Sequence, residues 1–180
     1  MQLAFVSILT LAYPLLVFFG IGHFEPRSIA LLLAALALVR GIAMRQKIWL
    51  LAAAGALCLA GISIFANQLL PLKLYPVLVN GVLLAAFGIS LAYPPTLIER
   101  LARLQEPDLP PKGIAYTRSV TKVWCAFFLV NGSVALITAL WCSSAVWALY
   151  NGFISYVLMG SLFGVEWLIR RRVKARIDDE

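Results

Sequence analysis

The sequence predicts an all-α integral membrane protein: a bundle of six transmembrane helices, or five if the first does not cross, with a cytoplasmic C-terminus. Three observations carry that prediction. Hydrophobic residues fill 62% of the 180 positions and charged residues only 13%, leaving too little polar surface to coat a soluble globule. Several apolar runs approach 20 residues, the length that crosses a bilayer core of roughly 30 Å at 1.5 Å per residue. The basic residues gather in short clusters between those runs, as topology signals do. The formal charge of +7 therefore does not imply nucleic acid, which would need the basic groups along one face.

The expected spans are 3–21, 28–43, 48–66, 74–92, 123–141 and 145–169. The first carries Pro14 in its interior, where neighbouring helices must satisfy the freed carbonyl. It has no Lys or Arg before it and no small-x-small site after it, so it is expected to be retained rather than cleaved as a signal peptide. The second is short and holds Arg40 near its end, a residue able to snorkel to the interface. Residues 94–121 are expected to form a cytoplasmic connection. Leu97, Leu101 and Leu104 share one face of a short helix, with Glu99, Arg100 and Arg103 directed elsewhere, a pattern suited to the headgroup plane. Pro107, Pro110 and Pro111 end that helix, and 112–121 reads as loop. Residues 170–180 form a basic tail.

Orientation follows from the distribution of Lys and Arg. One set of connections holds Arg40, Arg45 and Lys47, then Arg100, Arg103, Lys112, Arg118 and Lys122, then Arg170, Arg171, Arg172, Lys174 and Arg176. The opposite set holds only Arg27 and Lys73. Basic loops stay in the cytoplasm, which places the C-terminus inside whether or not the first run crosses.

Motifs for catalysis are missing: there is no HExxH, GxSxG or P-loop, and the one histidine, His23, lies in a short external loop. Gly61-Ile62-Ser63 and Gly88-Ile89-Ser90 lack the second glycine of an intramembrane serine protease motif. Cys58, Cys125 and Cys142 show no CxxC spacing and read as small packing residues. The sequence predicts neither an enzyme nor a metal or cofactor site. Polar residues inside the runs are the remaining candidates. Asn80-Gly81, Asn131-Gly132 and Asn151-Gly152 each interrupt an apolar run; glycine permits close helix approach and asparagine hydrogen-bonds across the contact, or the asparagines line a polar pocket. Glu166 falls near the inner interface, four residues before Arg170, the spacing of a pair on one helical face. Gly152, Gly160 and Gly164 repeat at four-residue intervals or multiples of them, the last two as a GxxxG, a packing face within the chain or across a homo-oligomer. Trp49, Trp124, Trp141, Trp147 and Trp167 stand near run ends, as interfacial anchors do. The cluster Arg170, Arg171, Arg172, Lys174 and Arg176 suits anionic phospholipid, with protein docking second.

In Leu97-Ile98 with Arg100, Leu109-Pro110, Trp124, Phe127-Phe128, Gly132 and Trp147, the chain resembles the intracellular septation protein A family of polytopic bacterial inner-membrane proteins. The ending Tyr150-Asn151-Gly152-Phe153-Ile154-Ser155-Tyr156 through Gly160, Phe163-Gly164 and Glu166 to Arg172 is more similar to a second, uncharacterised group of membrane proteins encoded beside aryl polyene and acyl-carrier-protein biosynthetic genes. These resemblances imply a multi-pass inner-membrane protein that supports envelope biogenesis, septation or lipid-linked biosynthesis without being an enzyme, meeting envelope or biosynthetic protein partners. The alternative is a small transporter or lipid flippase whose polar path runs by Asn80, Asn131 and Asn151.

Overall fold

In a computed structural model of the chain, the described residues are 47–178 together with 19, 24–26, 28–31, 34 and 35. For 47–52 and 174–178 only the backbone is described. Most of the first two apolar runs, with Pro14 and His23, and the side chains of Trp49, Lys174 and Arg176 therefore lie outside the described residues. From residue 47 onward the order is α1 (Lys47–Ala66), α2 (Leu70–Lys73), α3 (Tyr75–Ala92), α4 (Leu97–Arg103), α5 (Pro111–Trp141), α6 (Ser144–Leu149), a π-helical turn (Tyr150–Ile154) and α7 (Ser155–Asp178). Among the described residues the architecture is all-helical. Three helical stretches, Leu70–Ala92, Pro111–Trp141 and Ser144–Val173, are long and apolar enough to cross a membrane.

Local chemistry sets the helix ends. Asn67 follows α1 with a φ of 50°, a left-handed conformation that asparagine tolerates better than most residues. Pro71 and Pro76 stand in the first turns of α2 and α3, where a missing N–H costs nothing. Thr96 caps α4, its Oγ1 accepting from Glu99 N at 3.3 Å, and Ser143 caps α6 by accepting from Val146 N at 3.3 Å.

Residues 112–121, expected to be loop, are instead the first turns of α5. Pro110 is its extended N-cap and Pro111 opens it: the proline that stops one helix begins the next, because its fixed φ suits the first helical position. At 31 residues α5 is about 46 Å long, about three turns more than a bilayer core requires.

α3 and α5 form an antiparallel hairpin, against which α6, the π-turn and α7 return. Two clusters fill the contacts. At one end Ile29, Ala30, Ala60, Leu72, Ala139, Trp147 and Ala148 are buried together. Nearer the other, Val120, Trp124 and Phe128 pack with Leu83, Leu84, Phe87, Met159 and Leu162. Phe87 meets Phe128 edge-on at 5.2 Å, and Phe163 of α7 reaches Trp124 at 4.5 Å between ring centroids. Trp124 and Trp147 are thus core residues, 4% and 0% exposed, rather than interfacial anchors; Trp147 Nε1 donates to Lys73 O at 3.1 Å, satisfying its one polar atom internally. Trp141 and Trp167 are exposed. Outward-facing residues include Phe65, Ile89, Leu129, Phe153, Val157 and Leu168, an apolar exterior far beyond the isolated patches of a soluble monomer.

Candidate functional site

The polar residues within the long helices face one another. Asn80 lies on α3 and Asn131 on α5, 7% and 5% exposed, and Asn131 Nδ2 donates to Asn80 Oδ1 at 3.1 Å. Asn80 Nδ2 donates back to Pro76 O at 2.8 Å, the side chain thereby folding onto its own helix. Tyr150 completes the group, its hydroxyl donating to Asn131 Oδ1 at 2.9 Å. Gly132 explains how the helices come so close: a Cβ there would sit 3.0 Å from Asn80 Cβ, tighter than ordinary packing allows.

Asn151 belongs to a neighbouring group. Its Nδ2 donates to Thr138 Oγ1 at 3.2 Å and to Trp147 O at 2.9 Å. Asn151 thus bonds Thr138 and Trp147, whereas Asn80 and Asn131 bond each other. Asn151-Gly152 lies inside the π-turn, where an unbroken α-helix was expected. The wider turn holds one more residue, which lets consecutive side chains, Tyr150 and Asn151, both reach α5. Thr138 was not singled out from the sequence, and Tyr150 only within a resemblance; the requirement that a buried amide find partners was the signal available.

At the basic end of the helices α7 stands away from α5, and a cavity of about 640 Å³ opens between α4, the connection after it, α5 and α7. Its wall includes Ile98, Leu101, Leu109, Trp124 and Phe163; its polar lining includes Gln105, Asp108, Tyr116, Glu166 and Arg170. Tyr116 Oη donates to Glu166, at 3.3 Å to the carbonyl and 3.4 Å to Oε1, both long. The expected Glu166–Arg170 pair does not form: Arg170 Nη2 donates to Gln105 Oε1 at 3.0 Å. Arg103 instead pairs with Glu99 at 2.9 Å, a buried residue of α4, and also reaches Pro107 O at 3.0 Å. That pin holds the turn bordering the cavity, while Leu101 and Leu104 at its rim are exposed. A second cavity of about 280 Å³, lined by Gln105, Trp167, Arg170 and Arg171, adjoins the first. Arg171 lies over the Trp167 ring at 4.8 Å, within cation–π range. Arg172 is exposed.

Gly160 and Gly164 are exposed, and a Cβ at either would meet nothing within 4 Å. The cysteines are free thiols. Among the described residues no group of His, Cys, Asp or Glu could hold a metal ion.

The fold and these sites define a class: an all-helical chain with three helices fit to cross a membrane, internally bonded polar residues within them and an amphipathic cavity at the basic end. Comparison with family models, curated proteins and solved structures finds no match.

Proposed function

We propose that this chain is a multi-pass bacterial inner-membrane protein, a bundle of six helices with a cytoplasmic C-terminus, that supports cell-envelope biogenesis without being an enzyme. The observation carrying this reading is that each intramembrane amide is hydrogen-bonded within the bundle. A transporter or flippase needs polar groups left open to its cargo, whereas Asn80, Asn131 and Asn151 spend their side-chain bonds on Pro76, Tyr150, Thr138, Trp147 and one another. Such bonds hold helices together. What remains open to ligands or proteins is the basic end, with its cavity, the guanidinium groups of Arg170, Arg171 and Arg172, and the start of the tail. The residues that carry the resemblance to septation protein A support the same reading, because Trp124, Phe128, Gly132 and Trp147 serve packing.

Two measurements test it. Dual reporter fusions after residues 22, 45, 70, 110, 143 and 180 should report 45, 110 and 180 cytoplasmic and 22, 70 and 143 external; an external loop at 110 would refute the sidedness. Asn80→Ala and Asn151→Ala should lower thermal stability in detergent, with complementation of a deletion strain falling only as folded protein is lost. Complementation abolished at full stability would restore the transporter reading.

A further inference from the structure

We infer that the two adjoining cavities at the basic end form one binding site for the zwitterionic head of an aminophospholipid, with an acyl chain along its apolar wall. The inference rests on the proposal that this end lies at a membrane interface. The larger cavity, about 640 Å³, falls within the size range of small-molecule sites, roughly 300–1,000 Å³. Its lining is divided. Ile98, Leu101, Leu109, Trp124 and Phe163 offer an apolar surface, and Glu106, Asp108 and Glu166 offer carboxylates. The smaller cavity shares Gln105 and Arg170 with it and adds Arg171 on Trp167. Arg170, bonded to Gln105, is thus shared by the cavity that carries the carboxylates and the one that Arg171 borders.

That division selects the ligand. A singly anionic head on the arginines would meet the carboxylates of Glu106, Asp108 and Glu166 in the same lining, and a simple amine would leave the arginines unused. A phosphate joined to a primary ammonium uses both: guanidinium groups bind phosphate through paired N–H donors, and carboxylates accept from an ammonium with three N–H bonds. A quaternary ammonium has no N–H to give. Glu166 keeps acceptor capacity for this, since a carboxylate has about four lone-pair sites and its contact with the Tyr116 hydroxyl is long, at 3.4 Å.

Trp124 lies in the wall and provides the readout. The purified full chain in neutral detergent is titrated with phosphatidylethanolamine, phosphatidylglycerol and phosphatidylcholine carrying brominated acyl chains, following quenching of tryptophan fluorescence. Phosphatidylethanolamine should half-saturate at a concentration about tenfold below either other lipid. Arg170→Gln and Glu166→Gln should each raise that concentration about tenfold without changing the melting temperature, the glutamine still accepting from Tyr116. Asp108 is exposed, so Asp108→Asn, which disturbs no packing, serves if Glu166→Gln does not fold. Equal half-saturation for the three lipids, preference for phosphatidylglycerol, or wild-type binding by the variants would overturn the assignment. Competition by free phosphoethanolamine as effective as that of the lipid would overturn the acyl-chain part. Detergent exposes both ends of the protein, so a failed sidedness prediction leaves this binding result intact, and a failed binding result leaves the topology intact.

Discussion

The α3–α5 hairpin and the returning arm of α6, the π-turn and α7 are built from similar residues but held in different ways. Within the 18-residue apolar window of Pro111–Trp141 33% of the residues are buried, against 6% within that of Ser144–Val173. The hairpin is closed along its length by Gly132 against Asn80, the Asn80–Asn131 bond and the Phe87, Trp124 and Phe128 cluster. The arm is fastened where it begins, through Trp147, Tyr150 and Asn151, and again at Phe163 on Trp124. Beyond Phe163 it meets α5 through the Tyr116–Glu166 contact. In a membrane, apolar side chains gain nothing by leaving lipid for one another, so polar bonds and close packing decide which helices adhere. Where both are present the chain is closed; where both thin out it opens into a cavity.

The sharpest way to break this contrast is to remove the arm's first fastening. Trp147→Ala empties a fully buried site and leaves Lys73 O without its donor; a loss of about 3–5 kcal/mol is expected in reversible unfolding in detergent. Gly132→Val should cost about 1–3 kcal/mol by pushing Asn80 aside, with the α3–α5 distance, read between spin labels, increasing. Tyr116→Phe should cost at most about 0.5 kcal/mol, because its contacts are long, while loosening α7 near the cavity as seen by faster amide exchange there. Gly160→Leu and Gly164→Leu should change the unfolding free energy by less than about 0.5 kcal/mol, since nothing described lies against them. A large loss at either would show that this face of α7 is packed in the native assembly, and the oligomeric state would then identify a second copy.

The all-helical architecture was legible because apolar length and composition report it directly, and the helix ends at Ala66, Ala92 and Trp141 fall where the apolar runs stop and Asn67, Pro94 and Ser143 take over. The helical start of α5 was hidden because proline after proline reads as a break, when Pro111 in fact occupies the first helical position. Trp124 and Trp147 were misplaced because nearness to a run end says nothing about which way an indole points. The asparagines were visible as polar exceptions, but their partners were not: Tyr150 reaches Asn131 only because the π-turn shifts the face of the arm. Least legible was the cavity, whose residues come from the ends of three helices and the connection after α4, and whose Arg170 pairs with Gln105 rather than with Glu166 four residues away.

The central claim, that the intramembrane asparagines bind helices together rather than conduct a cargo, is tested most directly by a double-mutant cycle on Asn80 and Asn131. Reversible unfolding is measured in detergent for Asn80→Ala, Asn131→Ala and the pair, beside complementation of each. The account predicts a coupling of about 0.6–1.7 kcal/mol, with complementation following the amount of folded protein. Additive stabilities within about 0.3 kcal/mol, together with complementation lost in variants that remain folded, would contradict it.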